Sequence, residues 1–164
     1  MTRIVRGASL LFSGLFAGFL VCVLVLEGSL RGYGATVYTQ VRLVELDSLD
    51  KLASVTLLPA IVTTVVLALR TRRVDRRFVL SALALLVVVF VVTLVVNLPI
   101  NGDQASWSVQ SPPTDWASVR DRWQVAHAVR TAAALVAFVV LIVGCQRSTP
   151  AVVSRSRMRE WETA

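Results

Sequence analysis

Three stretches of this chain pass 18 or 19 positions without a charged residue: Ala8 to Leu26, Leu52 to Leu69 and Phe78 to Val96. A helix of that length rises about 1.5 Å per residue and crosses a hydrocarbon core roughly 30 Å thick. A fourth apolar run, Thr131 to Cys145, has 15 residues and completes a crossing only if the turn from Trp123 to Arg130 is added to it. Valine dominates these runs, and its helix propensity is modest. Inside a bilayer, however, a backbone group without an internal partner is costly, so helix is the one structure open to a single segment. The expected fold is all-α: an integral membrane four-helix bundle with spans near 8–26, 52–69, 78–96 and 127–145. One domain over residues 1–145 holds them, followed by a basic tail over 146–164 that is expected to be flexible.

The net charge of +7 raises nucleic-acid binding, but the placement of the charge argues against it. With the apolar runs as spans, one side of the membrane holds eleven arginines (Arg3, Arg6, Arg70, Arg72, Arg73, Arg76, Arg77, Arg147, Arg155, Arg157 and Arg159) against Asp75, Glu160 and Glu162. The other side holds six basic and seven acidic residues. All the excess lies on one side. The positive-inside rule makes that side cytoplasmic, with both termini on it, in a plasma membrane. The basic balance therefore reports topology and contact with the anionic heads of membrane lipids.

Arg3 and Arg6 ahead of an apolar stretch imitate a secretory signal, but 19 residues exceed the roughly 7–15 of a signal h-region, and no A-x-A site follows. The first span is expected to stay in place. Cys22 falls in the outer half of the first span and Cys145 at the inner end of the fourth, too far apart for a disulfide and without ligand spacing for a metal. No phosphate-binding glycine loop, metal-ligand cluster, Ser-His-Asp arrangement or dinucleotide fingerprint occurs. A single histidine cannot supply paired axial ligands to a haem, and the inverted repeats of secondary transporters are missing. No cofactor is expected, and nothing in the sequence sets an oligomeric state.

The connections on the acidic side carry more information. After the stop at Pro112-Pro113, Thr114 is a candidate N-cap and Asp115 complements the first turn of a helix about 30 residues long. The fourth helix, like the second, is thus expected to extend beyond the outer leaflet. At 100° per residue, Trp116, Arg120, Trp123, His127 and Arg130 fall at about 0°, 40°, −20°, 20° and −40°, one narrow face. On the second helix Tyr38, Arg42 and Glu45 fall at about 0°, 40° and −20°. Gln40, Asp47, Asp50 and Lys51 lie on its far side, where water is expected. That helix has two polar faces, and solvent explains only one.

His127 is the only histidine and sits where the fourth helix enters the membrane. An imidazole with an ordinary pKa near about 6.5 is the side chain here suited to proton transfer at neutral pH. The bland alternative is a histidine that hydrogen-bonds a neighbouring helix. Arg130, one turn deeper, needs a partner at that depth, and Glu27 and Glu45 are the available carboxylates. Glu27 could instead pair with Arg31 on its own helix end. Asn97-Leu98-Pro99-Ile100-Asn101 closes the third helix, since Pro99 interrupts the helix there, and the two amides could serve the freed carbonyls or face a ligand. Trp107, Trp116 and Trp123 form either an aromatic belt or the rim of a pocket for a flat aromatic molecule.

The string Asn97-Leu-Pro-Ile-Asn101, then Trp116, then Arg122-Trp123-x-x-x-His127-x-x-Arg130 resembles the DUF1772 family of small four-helix membrane proteins, which includes the fungal anthrone oxygenases. The segments Val25-Leu-Glu-Gly-Ser-Leu-Arg31 and Val37-Tyr-Thr-Gln-Val-Arg42 look like an actinobacterial branch of it. The resemblance implies a cofactor-free oxygenase, or a related oxidoreductase, acting on a flat lipophilic phenolic substrate at the outer leaflet. In that reading His127 is the base that removes an activated ring proton, and Asn97, Asn101 and Arg130 stabilise the oxyanion that results. Trp116, Trp123, Glu27, Arg31, Tyr38, Arg42 and Glu45 complete the candidate substrate site. The other reading is a non-catalytic membrane protein that binds a lipid or a partner, its polar cluster locking the helix ends.

Overall fold

The computed structural model describes residues 2–71 and 73–147, with side chains placed from 3 to 71 and from 76 to 147. Helix α1 (Thr2–Ser29) ends in one 3-10 turn, Leu30–Gly32, and an extended Tyr33-Gly34 leads into α2 (Ala35–Arg70). Helix α3 (Arg73–Val92) passes through a π-helical turn, Thr93–Asn97, into the short α4 (Leu98–Gln104). Helix α5 (Trp116–Arg147) closes the described chain. Four helical stretches are long and apolar enough to cross a membrane, the third running from Arg76 to Gln104. No strand occurs among the described residues. The tail from residue 148 lies outside them, while Gln146 and Arg147, expected to begin it, still belong to α5.

The helices pack in a ring in which α1 touches α2 and α5, and α3 touches α5 and α2. Small residues set the spacing. Ala17, Ala60, Ala82, Ala134 and Ala137 are buried in the central core beside Leu20, Leu67, Leu86 and Leu141. A Cβ on Gly144 of α5 would stand 2.8 Å from Phe78 Cβ, so only glycine lets α3 and α5 meet there. The Ser9 and Thr64 hydroxyls, both buried, hydrogen-bond at 2.8 Å between α1 and α2. Outward positions such as Leu11, Val62, Leu69 and Val139 are more than half exposed, as lipid-facing positions should be. At the basic end the guanidiniums of Arg77 and Arg147 lie 5.1 and 5.0 Å over the Phe78 ring, which ties the start of α3 to the end of α5.

The third span departs from expectation. Pro99 does not close the helix; it falls in the first turn of α4, where its missing N–H is least needed. The discontinuity is taken up one turn earlier, where Leu98 N donates to Thr93 O five residues back, the signature of a π turn. The chain then stays helical to Gln104. Thr114 also proves not to start α5, which begins at Trp116. The carbonyl of Asp115 accepts the first bonds, from Ser118 N and Val119 N.

Candidate functional site

At 36 and 32 residues, α2 and α5 are about 54 and 48 Å long at 1.5 Å per residue, well beyond a roughly 30 Å hydrocarbon core. Their surplus turns stand together at the end of the bundle opposite the arginines and carry the two polar faces read from the sequence. Tyr38, Arg42 and Glu45 are buried on α2, as are Trp123, His127 and Arg130 on α5.

Arg42 is the hub. Its Nε donates to Gln104 Oε1 at 2.7 Å, Nη2 to Asn101 Oδ1 at 2.6 Å and Nη1 to Glu45 Oε2 at 2.7 Å. Glu27 Oε1 of α1 lies 3.6 Å from the same Nη1, and the guanidinium stacks 4.1 Å from the Trp123 ring centroid. Trp123 Nε1 donates to Asn101 Oδ1 at 2.6 Å, and Asn101 Nδ2 donates to both carboxylate oxygens of Asp50 at 3.1 Å. One arginine, one asparagine and one tryptophan thereby fasten α4 and α5 to α2.

Behind Trp123 lies His127, fully buried, its ring stacked 4.8 Å away at 8°. The Leu20 carbonyl 3.0 Å from Nε2 can only accept, so Nε2 carries the proton and Nδ1 is an acceptor. Arg130 fills that acceptor with Nε at 3.1 Å and Nη2 at 2.8 Å, and its Nη1 donates to Thr93 Oγ1 of the π turn at 3.3 Å. Arg130 therefore has neutral partners: among the described residues no carboxylate lies within ion-pair distance of it. The expectation that Glu27 or Glu45 would pair with it is not met, because both turn to Arg42. Glu27 does not pair with Arg31 either. Arg31 binds Asp121 at 2.9 Å and Gln124 at 2.6 Å, on the other side of α5.

A cavity of about 180 Å³ opens against this network. Arg42, Glu45, Asp50, Asn101, Trp123 and Arg130 form its polar wall; Phe16, Phe19, Leu57 and Phe90 line the rest. Its mouth lies between α2 and the π turn with α4, where Leu58, Leu94 and Leu98 are 50%, 45% and 43% exposed. The exposed lining is thus mainly apolar, with Ser54 its polar member. A second cavity of about 260 Å³ lies between α1 and α5, lined by Glu27, Arg31 and Gln124.

Of the sequence-selected residues, Arg42, Glu45, Asn101, Trp123 and Arg130 meet at the first of these cavities. Glu27, Asn97 and His127 are buried behind its wall, and His127, with both nitrogens engaged, is not part of that wall. This differs from the direct contact expected of a base. The asparagine amides do not serve carbonyls freed by Pro99: Asn97 Nδ2 donates to Trp123 O at 3.4 Å, and Asn101 reaches Asp50. Tyr38 and Trp116 join Trp107 in an aromatic cluster away from the cavity, with ring centroids 5.6 and 6.5 Å from Tyr38. Trp107 and Trp123 are buried, which removes them from a lipid-facing belt. Asp50, Gln104, Gln124 and Thr93 were not foreseen. Among the described residues no three His, Cys, Asp or Glu side chains gather as a metal-binding group.

A four-helix chain built to cross a membrane, with an ion network walling an interhelical cavity, is the class these features define. The family model for anthrone oxygenase matches residues 49–140, more than half of the chain, and the protein belongs to that family. No curated protein and no solved structure matches it.

Proposed function

We propose that the protein is a multi-pass plasma-membrane oxygenase that works without a cofactor on a flat lipophilic phenol, bound from the outer leaflet in the cavity that Arg130 lines. The observation that carries this reading is Arg130, a buried guanidinium at the cavity wall with no carboxylate in ion-pair distance among the described residues. A buried charge of that kind is costly unless compensated. A phenolate or enolate oxygen entering the cavity supplies the missing charge, and donors held in place before the reaction stabilise it as it develops. Phe16, Phe19 and Phe90 offer apolar ring surface to a planar molecule. The volume of about 180 Å³ is less than the roughly 300–1,000 Å³ of sites that enclose a whole drug-sized ligand. The cavity suits the reacting end of a fused-ring molecule, with the remainder in the apolar mouth. His127 acts in this reading by holding Arg130 in position.

The family match supports the reading, since its segment includes Asp50, Asn101, Trp123, His127 and Arg130. Membership of the DUF1772 family and of its actinobacterial branch belongs to the same proposal. A redox-inert hydroxyanthraquinone should quench tryptophan fluorescence on binding. Leu57→Trp, which fills the cavity, should raise its Kd at least about tenfold, a loss of about 1.4 kcal/mol. Equal affinity in the variant would place the ligand elsewhere.

The orientation is likewise proposed: both termini cytoplasmic, on the strength of the arginine-rich end. A membrane-impermeant thiol reagent applied to intact cells should label Ser111→Cys and leave Thr71→Cys untouched. The reverse pattern would invert the topology and move the cavity to the cytoplasmic leaflet. A non-catalytic role draws support from the closed part of the network, where Gln104, Gln124 and Asn101 accept from the arginines and Gln124 donates to Glu27. In that case the protein binds a lipid or a protein partner and no oxygen is consumed.

A further inference from the structure

The oxyanion reading leaves two buried carboxyl groups unused. Glu27 of α1 and Glu45 of α2 approach the same atom, Arg42 Nη1, at 3.6 and 2.7 Å, with side chains 1% and 4% exposed. One oxygen of each is taken: Glu27 Oε2 accepts from Gln124 Nε2 at 2.8 Å, and Glu45 Oε2 from Arg42 at 2.7 Å. The other oxygen of each, Oε1, is buried with no donor. A buried acceptor left bare is costly, and here both belong to carboxyls held by one guanidinium.

The charge of the surroundings points the same way. Arg42 of α2 faces two carboxyls, Glu27 and Glu45, with Arg130 and Asp50 elsewhere in the cavity wall. The imidazole of His127 is neutral by its hydrogen bonds, Tyr38 is a neutral phenol at ordinary pH, and α4 contributes the amides Asn101 and Gln104. With both ionised, Arg42, Glu27 and Glu45 hold one excess negative charge in a buried place. A single proton on the pair removes the excess and gives both bare oxygens a partner.

We propose that Glu27 and Glu45 share one proton between their Oε1 atoms, and that Glu45, in the cavity wall, trades protons with bound substrate as the acid–base group of the site. The second half rests on the oxygenase reading; the first does not. For a substrate with an acidic ring methylene, Glu45 takes one methylene proton while the electron pair delocalises onto the oxygen beside Arg130. Dioxygen accepts the electrons and forms a C–O bond, and the peroxide so formed takes the proton back from Glu45. Glu45 then removes the second proton from the same carbon as the O–O bond breaks. A C=O bond forms, and the departing hydroxide leaves with that proton as water. Carbon loses four electrons, dioxygen gains four, and the carboxyl pair ends with the one proton it held at the start.

Infrared spectroscopy of the purified protein in lipid discs tests the shared proton without reference to activity. At neutral pH the wild type should show the C=O stretch of a protonated carboxyl, shifting in D2O and vanishing in both Glu27→Gln and Glu45→Gln. A wild-type spectrum without the band overturns the proposal, and this needs no variant to fold. A band that survives either substitution overturns it too. In oxygen-uptake assays Glu45→Gln should lower kcat about a hundredfold or more, the usual range for acid–base groups, while hydroxyanthraquinone still binds. An unchanged kcat would remove Glu45 from the chemistry. A band in the wild type with no uptake by the wild type would sink the oxygenase reading and leave the shared proton standing.

Discussion

Arg42→Met should be the most destructive single substitution at the polar end of the bundle. It strands Glu27 and Glu45 without a counter-charge and leaves Asn101 and Gln104 each short of a donor. Removing one partner of a buried ionic network costs about 3–5 kcal/mol, a large share of the roughly 5–15 kcal/mol that holds a domain folded. The protein should aggregate when extracted in mild detergent, or melt far below wild type in a thermal scan. Because the damage is uncompensated charge, Arg42→Met combined with Glu27→Gln and Glu45→Gln should recover much of the lost Tm. A single variant as stable as wild type would mean that the network does not hold α1, α2 and α4 together.

Arg130→Gln should do the opposite, sparing the fold and abolishing chemistry. Among the described residues Arg130 has no carboxylate to strand, and glutamine can still donate to His127 Nδ1. Loss of one preorganised donor to a developing oxyanion costs about 10²–10³ in kcat. His127→Ala should cost less, because the guanidinium would lose its alignment and keep its charge. His127→Asn, whose amide oxygen can still accept from Arg130, should sit between alanine and wild type. This ordering separates a histidine that positions an arginine from one that takes the substrate proton, for which alanine and asparagine would be equally inactive.

The spans were legible because a bilayer admits so few structures that an uncharged run nearly determines its own conformation. The inward faces of α2 and α5 were legible too, since Tyr38, Arg42 and Glu45, and Trp123, His127 and Arg130, recur at helical spacing and all proved buried. What failed was pairing. Arg130 and Arg42 sit on different helices at similar depth, and helical spacing cannot say which of them takes Glu27 and Glu45. Gln104 was lost for a local reason. With Asn97 and Asn101 it falls at about −20°, 0° and 40° on one helical face, but ending the helix at Pro99 removed the face. The π turn that lets the chain run on has no composition signal in Thr93-Leu-Val-Val-Asn97. Asp50 sits about 120° from Tyr38 on α2, the edge of the water-facing side, and reaches the site only because α4 crosses there. Its contact to Asn101 is tertiary and absent from any one-helix reading.

The most direct test of the cavity as an oxyanion site is oxygen consumption by the purified protein in lipid discs, given an anthrone-type phenol and no added metal or flavin. The account predicts one dioxygen consumed for each quinone formed by the wild type, and uptake at background in Arg130→Gln of normal Tm. Uptake absent from the wild type, or undiminished in Arg130→Gln, would contradict it.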